Sequence, residues 1–186
     1  MVGNVNVTAE KVIFLDIDGV LNDEGDRLKK GVYIEDEMVA RLKKIVEATG
    51  AQIVLSSSWR KAYFDYLENL ENGVENNQAE LNMLHDMLKR YDLSISGRTD
   101  YISSGPYARP AEIRAWLATA NDVKSFIILD DDDFWAWNWL SDRFVMTKKR
   151  GENGTWIRGL DDEHIVRAID ILNRKNQIPK HETMPW

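Results

Sequence analysis

The chain reads as an α/β protein on a Rossmann-like, doubly wound and mostly parallel sheet. Three observations predict this. Short apolar runs alternate with helical stripes along the 186 residues. Three of those runs end abruptly in clusters of polar residues, as strands do when their carboxyl ends open onto a site. The length suits one domain with a full core, and there is no internal repeat and no long linker. Residues 1–186 are therefore read as a single domain, with 1–10 as an N-terminal extension and 177–186 as a C-terminal tail.

The strand-like runs are Lys11–Asp16, Gln52–Ser56, Leu93–Ser96, Phe126–Leu129 and Arg143–Thr147. Between them lie helical stripes. Met38, Leu42, Ile45 and Val46 recur at i, i+4, i+7 and i+8. Tyr63, Tyr66, Leu67 and Leu70 form a second stripe, and Leu81, Leu84, Leu88 and Tyr91 a third. Ile113, Trp116, Leu117 and Ala120 form a fourth, with Pro110 suited to its first turn. Ile165, Ala168, Ile169 and Leu172 form the last. Strands and helices in this alternation predict βαβ units, whose ligands sit beyond the carboxyl ends of the strands.

Composition narrows the chemistry. A formal charge of −7 opposes nonspecific attraction to phosphate backbones or anionic membranes, without excluding a local basic patch. No apolar run approaches the length of a membrane span and the N-terminus lacks a signal-peptide pattern, so a cytoplasmic protein is expected. Without cysteine there is no disulfide, thiol nucleophile or cysteine-bound zinc. The three histidines, His85, His164 and His181, are scattered and read as packing or surface residues. A metal here takes oxygen ligands, which favours magnesium.

The strand ends carry the chemistry. The stretch KVIFLDIDGVLND places Asp16 and Asp18 directly after a buried run. Two carboxylates so close repel and resist burial unless a cation offsets them. AQIVLSSSWR ends in Ser56, Ser57 and Ser58, and SFIILDDDDFW in Asp130 to Asp133. YARPAEIRAWL puts Arg109 just before the helix that leads into the Asp130 strand. Carboxylates, hydroxyls and a guanidinium at one sheet edge suit phosphoryl transfer. The metal orients a phosphate oxygen, Arg109 offers a planar fork, and hydroxyl and backbone donors take the remaining oxygens.

Each feature has a plainer reading. A lone D-x-D-G occurs in many turns, and DDDD is often a solvated helix start. The serines suit helix capping, with Ser56 or Ser57 as the phosphate contact. Arg109 also fits as a surface residue at a helix start. Trp59, Arg60 and Arg98 fit either the substrate edge of the site or ordinary packing and turns. Trp135, Trp137 and Trp139 read better as packing.

Taken in order, FLDIDGVL, IVLSSS, Arg109-Pro110 and FIILDDDD resemble the four motifs of the haloacid dehalogenase (HAD) superfamily of phosphohydrolases. With GRT and RPAEIRAWL included, the set is similar to the HAD domain of Swiss-army-knife RNA-repair proteins. One departure is Arg109, where many members carry lysine; Lys124 lies at the wrong end of its strand to replace it. The resemblance implies an HAD-like fold and a magnesium-dependent phosphomonoesterase working through an aspartyl-phosphate. Asp16 would be the nucleophile and Asp18 the acid/base. Asp16, Asp131, Asp130 and the Asp18 backbone carbonyl would serve the metal, and Ser56, Ser57 and Arg109 the phosphate. Only about 40 residues separate the first two motifs, so a minimal or absent cap is expected. The expected partner is a phosphorylated substrate, with an RNA or DNA end or a nucleotide favoured. The alternatives are a phosphatase of small phosphometabolites or phosphoproteins, a phosphoacceptor signalling module, and an idle binding protein.

Overall fold

The structure, a computed structural model, describes residues 9–23, 31, 33–74, 77–102, 108–120, 122–132 and 140–174. Its centre is a five-stranded sheet in the order β3-β2-β1-β4-β5, parallel throughout. The strands are β1 (Lys11–Leu15), β2 (Gln52–Leu55), β3 (Ile95–Arg98), β4 (Ser125–Asp130) and β5 (Phe144–Met146). A separate two-stranded antiparallel hairpin joins β6 (Lys149–Arg150) to β7 (Trp156–Ile157).

The middle strands are continuous apolar runs because a parallel sheet is covered on both faces. Alternation then divides each run between two cores. Ile13, Leu15, Ile53, Leu55, Ile127 and Leu129 face one core. Val12, Phe14, Val54, Phe126 and Ile128 face the other. The first core is closed by α1 (Asp36–Thr49), α2 (Arg60–Glu71), α3 (Ala79–Arg90) and α5 (Asp162–Asn173). The second is closed by Ile113 and Trp116 of α4 (Ala108–Thr119), with Trp116 edge-on to Phe14.

Handedness explains this division. Right-handed crossovers running from β1 to β2 to β3 put α1, α2 and α3 on one face. After β3 the chain reverses direction to reach β4, so α4 lies on the opposite face. The reversal leaves a crevice at the carboxyl ends of β1 and β4, where such sheets bind ligands.

Helix ends follow local chemistry. Asp36 and Glu37 open α1, favoured by the helix dipole. Gly50, at φ +68°, closes it by donating its N–H to the Val46 carbonyl. Asp161 caps α5 by accepting from the His164 N–H, and His164 Nδ1 accepts the Asp161 N–H in return.

Most strand ends shift by one residue from the runs read in sequence, and two differences have a clear physical reason. The third strand starts at Ile95, because Leu93 still donates its N–H to the Leu88 carbonyl and closes α3. Asp92 makes that closure through a left-handed backbone, φ 51°. Arg109 is inside the first turn of α4 rather than before it. At the N-terminus, Ala9 is already buried, and the Glu10 carbonyl receives the N–H groups of Lys124 and Ser125. Residues 1–8 and 177–186 lie outside the described residues.

Candidate active site

The ends of β1 and β4 meet through the backbone. The Asp16 N–H donates to the Leu129 carbonyl at 3.0 Å, which sets Asp16 beside Asp130 and Asp131. Carboxylate oxygens of Asp16, Asp130 and Asp131 all lie within 4.8 Å of one another. Arg109 answers this crowding. Its Nη1 is 2.7 Å from Asp16 Oδ2 and 2.7 Å from Asp130 Oδ2. Burial alone would lower the Arg109 pKa, but the two carboxylates outweigh it and hold the guanidinium firmly charged. Lys124 pairs instead with exposed Glu10 at the opposite end of β4, so it plays no part in this cluster.

The two strand-end carboxylates of β4 differ. Asp130 is fully buried, takes the Asp132 N–H at 3.0 Å, and is held well above the usual carboxylate range by burial and by Asp16. Asp131 is partly exposed, and Arg158 donates to its Oδ2 at 2.8 Å. Its pKa is also raised, by burial and then by Asp16, against Arg158 and Lys148. Three hard carboxylate oxygens this close together form a donor set that fits a divalent metal ion.

Asp18 stands apart from that cluster. Trp59 Nε1 donates to its Oδ2 at 2.8 Å, and Asn22 Nδ2 to its Oδ1 at 3.2 Å. Asn22 is itself held, accepting the Gly19 N–H and donating to the Tyr33 carbonyl. Gly19 is required between these groups. Its φ is +72°, and a Cβ there would come within 2.3 Å of Asp131 Cγ. Its carbonyl takes the Thr147 hydroxyl at 2.7 Å and the Gly159 N–H at 2.8 Å.

The serines follow from β2. The Ser56 N–H donates to the Leu15 carbonyl, next to Asp16 across the sheet. Its hydroxyl is buried with no hydrogen-bond partner among the described residues. An orphaned donor beside Asp16 is what an incoming phosphate oxygen would satisfy. The Ser57 hydroxyl instead accepts the Trp59 N–H, and Ser58 is exposed. Ser56 is thus better placed than Ser57 to serve an anion.

The three residues named for the substrate edge each have partners within the fold. Trp59 spends its indole N–H on Asp18. Arg60 is buried, donating to the Ser57 carbonyl and to Glu112 Oε2 at 2.7 Å, with Tyr101 stacked on its guanidinium at 3.5 Å. Arg98 is half-buried over the Phe64 ring, with Nη1 3.5 Å from the Arg60 carbonyl. Sequence reasoning missed Asn22, Glu112, Thr147 and Arg158. Asn22 had a local signal, lying four residues after Asp18; the others are set only by the fold. His85 packs on Tyr66, and His164 belongs to the α5 cap. Asp133, Trp135, Trp137, Trp139 and His181 lie outside the described residues.

Residues 12–154 match the model of the HAD domain in Swiss Army Knife RNA repair proteins, and the chain belongs to that family. Membership implies hydrolase chemistry of the phosphatase kind, on a phosphorylated substrate, and HAD domains typically use a divalent metal. No characterised protein and no solved structure matches the chain significantly. Among the described residues, no helix is long and apolar enough to cross a membrane.

Proposed function

We propose that the chain is a magnesium-dependent phosphomonoesterase that acts through an aspartyl-phosphate on Asp16, with a nucleic-acid end or nucleotide as substrate. One observation carries the chemistry. Asp16 sits in a carboxylate cluster bridged by Arg109, while Asp18, two residues on, is held outside that cluster by Trp59 and Asn22. The same residue type thus stands in two environments, which suits two roles.

Asp16, Asp131 and Asp130, with the Asp18 backbone carbonyl, would hold the metal. When bound, it offsets the negative charge of carboxylates and phosphate. The protein's residues do the rest. An Asp16 carboxylate oxygen attacks phosphorus as the ester P–O bond breaks, and Asp18 gives its proton to the leaving oxygen. Asp18 then takes a proton from water, whose oxygen bonds to phosphorus. The P–O bond to Asp16 breaks, releasing phosphate and restoring the Asp16 carboxylate, with Asp18 again carrying its proton. Arg109 and the Ser56 hydroxyl receive phosphate oxygens throughout. A phosphoacceptor module needs no acid/base at Asp18, so the tethering of that carboxylate favours turnover.

The test is a magnesium-dependent screen of 3′- and 5′-phosphorylated oligonucleotides, nucleotides, sugar phosphates and phosphopeptides. Asp16→Asn should nearly abolish turnover, and Asp18→Asn should slow it and let a phosphoenzyme accumulate. Wild-type turnover by Asp16→Asn would refute the covalent route. Preference for sugar phosphates or phosphopeptides, with oligonucleotide ends inert, would remove the nucleic-acid substrate and leave the phosphatase.

A further inference from the structure

The β6–β7 hairpin has no part in the chemistry above, yet both its legs are tied to the site. Where it leaves the sheet, the Thr147 N–H donates to the Asp130 carbonyl and its hydroxyl to the Gly19 carbonyl. Where it returns, Arg158 holds Asp131 and the Gly159 N–H donates to Gly19. Between these anchors the sequence is KKRGENGTWI, with Glu152 at the turn as its one acid.

Register sorts these side chains. Lys149 pairs with Ile157, and Arg150 with Trp156. Opposed residues of an antiparallel pair share a face, and neighbours alternate. Continuing the register pairs Lys148 with Arg158. Lys148, Arg150, Trp156 and Arg158 therefore share one face, and Lys149 and Ile157 the other. Contacts agree: Lys148 Nζ lies 4.9 Å from the Trp156 ring centre, while Lys149 pairs with Asp161. The first face ends at the carboxylate cluster, since Arg158 touches Asp131 and the charge of Lys148 reaches it. Trp156 is 55% exposed and Arg150 is exposed. Two residues of strand separate Trp156 from Arg158, about 7 Å of backbone.

We propose that this face of the hairpin binds the stretch of single-stranded nucleic acid that carries the scissile phosphate, a base stacking on Trp156 and Lys148 and Arg150 meeting backbone phosphates. The proposal rests on the nucleic-acid reading above. An aromatic ring set among cations is the combination that holds single strands without reading sequence. It also places a local positive face on a chain of net charge −7, so binding is confined to the end beside the site.

The experiment compares the wild type with Trp156→Ala, Trp156→Tyr, Lys148→Ala/Arg150→Ala and the distant control Val166→Ala, 70% exposed on α5. Two readouts are used: the ratio of kcat/KM for a terminally phosphorylated hexanucleotide to that for the mononucleotide, and the anisotropy-measured Kd of a labelled hexanucleotide on Asp16→Asn protein. RNA, DNA, blunt duplex and phosphopeptide form separate arms. In the single-strand arms, Trp156→Ala should bring the ratio close to one and weaken binding by about tenfold or more, the worth of one stacked base. Trp156→Tyr should retain most of both, and Val166→Ala all of both. Lys148→Ala/Arg150→Ala should flatten the dependence of log K on log salt by about 0.7 per lost phosphate contact. Turnover of a small aryl phosphate with no length advantage, or one untouched by Trp156→Ala, overturns the hairpin proposal and leaves the phosphatase. Trp156-dependent binding without turnover upholds the hairpin and sinks the phosphatase. A duplex or phosphopeptide preferred over single strands also overturns the proposal.

Discussion

Removing Glu112 alone should destabilise the protein far more than removing it together with Arg60. Both side chains are almost fully inaccessible, 2% and 4% exposed, and they meet at 2.7 Å. Burial acts on each against its charge: it lowers the Arg60 pKa and raises that of Glu112. Desolvation is thus the largest influence on both, so the pair as a whole adds little net stability. The cost comes from breaking it. Glu112→Ala strands the Arg60 guanidinium in the interior, where Nε already lacks a partner among the described residues. An uncompensated buried charge costs about 3–5 kcal/mol. For a chain of this size that corresponds to a fall in Tm of about 6–20 °C. Arg60→Met/Glu112→Leu removes both charges and should cost about 1–2 kcal/mol, mostly the lost hydrogen bonds to the Ser57 carbonyl and the Ile102 N–H. Urea unfolding of Glu112→Leu, Arg60→Met and the double variant, read as a double-mutant cycle beside Glu112→Ala, measures the difference. Because Glu112 lies one turn beyond Arg109 on α4, and Arg60 grips the Ser57 carbonyl, Glu112→Ala should also raise KM for any phosphoester. A single-variant cost below about 1 kcal/mol, or a double variant as damaged as the sum of the singles, would refute the reasoning.

Gly19→Ala should lose more than 100-fold in kcat/KM, since its left-handed backbone costs about 1–2 kcal/mol and its Cβ displaces Asp131; calorimetry should show weaker magnesium binding, and near-wild-type activity would contradict this. Trp59→Phe deletes the donor that orients Asp18 through Oδ2, a hydrogen bond worth about 0.5–1.5 kcal/mol, so kcat should fall about twofold to tenfold, and an unchanged kcat would deny Trp59 this role. Burial lowers the His164 pKa below 6.5, opposed by Asp161 and Glu163 and aided by Lys149, so the folded chain binds fewer protons than the unfolded one just below that pH. That contribution to stability is fully present above pH 6.5 and is lost as pH falls through the folded value, and His164→Gln should flatten the Tm-against-pH curve between pH 7 and 5.

What could be read from sequence, and what could not, divides along the distance between partners. β1, β2 and β4 were legible because a strand covered on both faces is apolar at successive positions through its middle, and Asp16, Ser56 and Asp130 were legible as the polar residues that end such runs. β3 was read two residues early, since Leu93 looks like a strand residue and only its bond back to Leu88 assigns it to the end of α3. β6 and β7 have two residues each, too few to show an alternation. The supporting contacts were hidden for another reason. Trp59 reaches Asp18 across 41 positions, Arg60 reaches Glu112 across 52, and Thr147 reaches Gly19 across 128. Nothing local distinguishes an arginine that will be buried from one that will face water, so the sequence leaves Arg60 open between the substrate edge and packing, and only the fold brings Glu112 to it. The same separation has a functional consequence. The groups assigned to bond breaking lie in short strand-end motifs that pattern alone reveals. The groups that orient them come from the start of α2, from α4 and from the residues that flank the β6–β7 hairpin, whose positions are set only when the whole sheet has closed. A substitution at Trp59, Glu112 or Arg158 therefore leaves Asp16, Asp18, Ser56 and Asp130 unchanged and should still disturb the site.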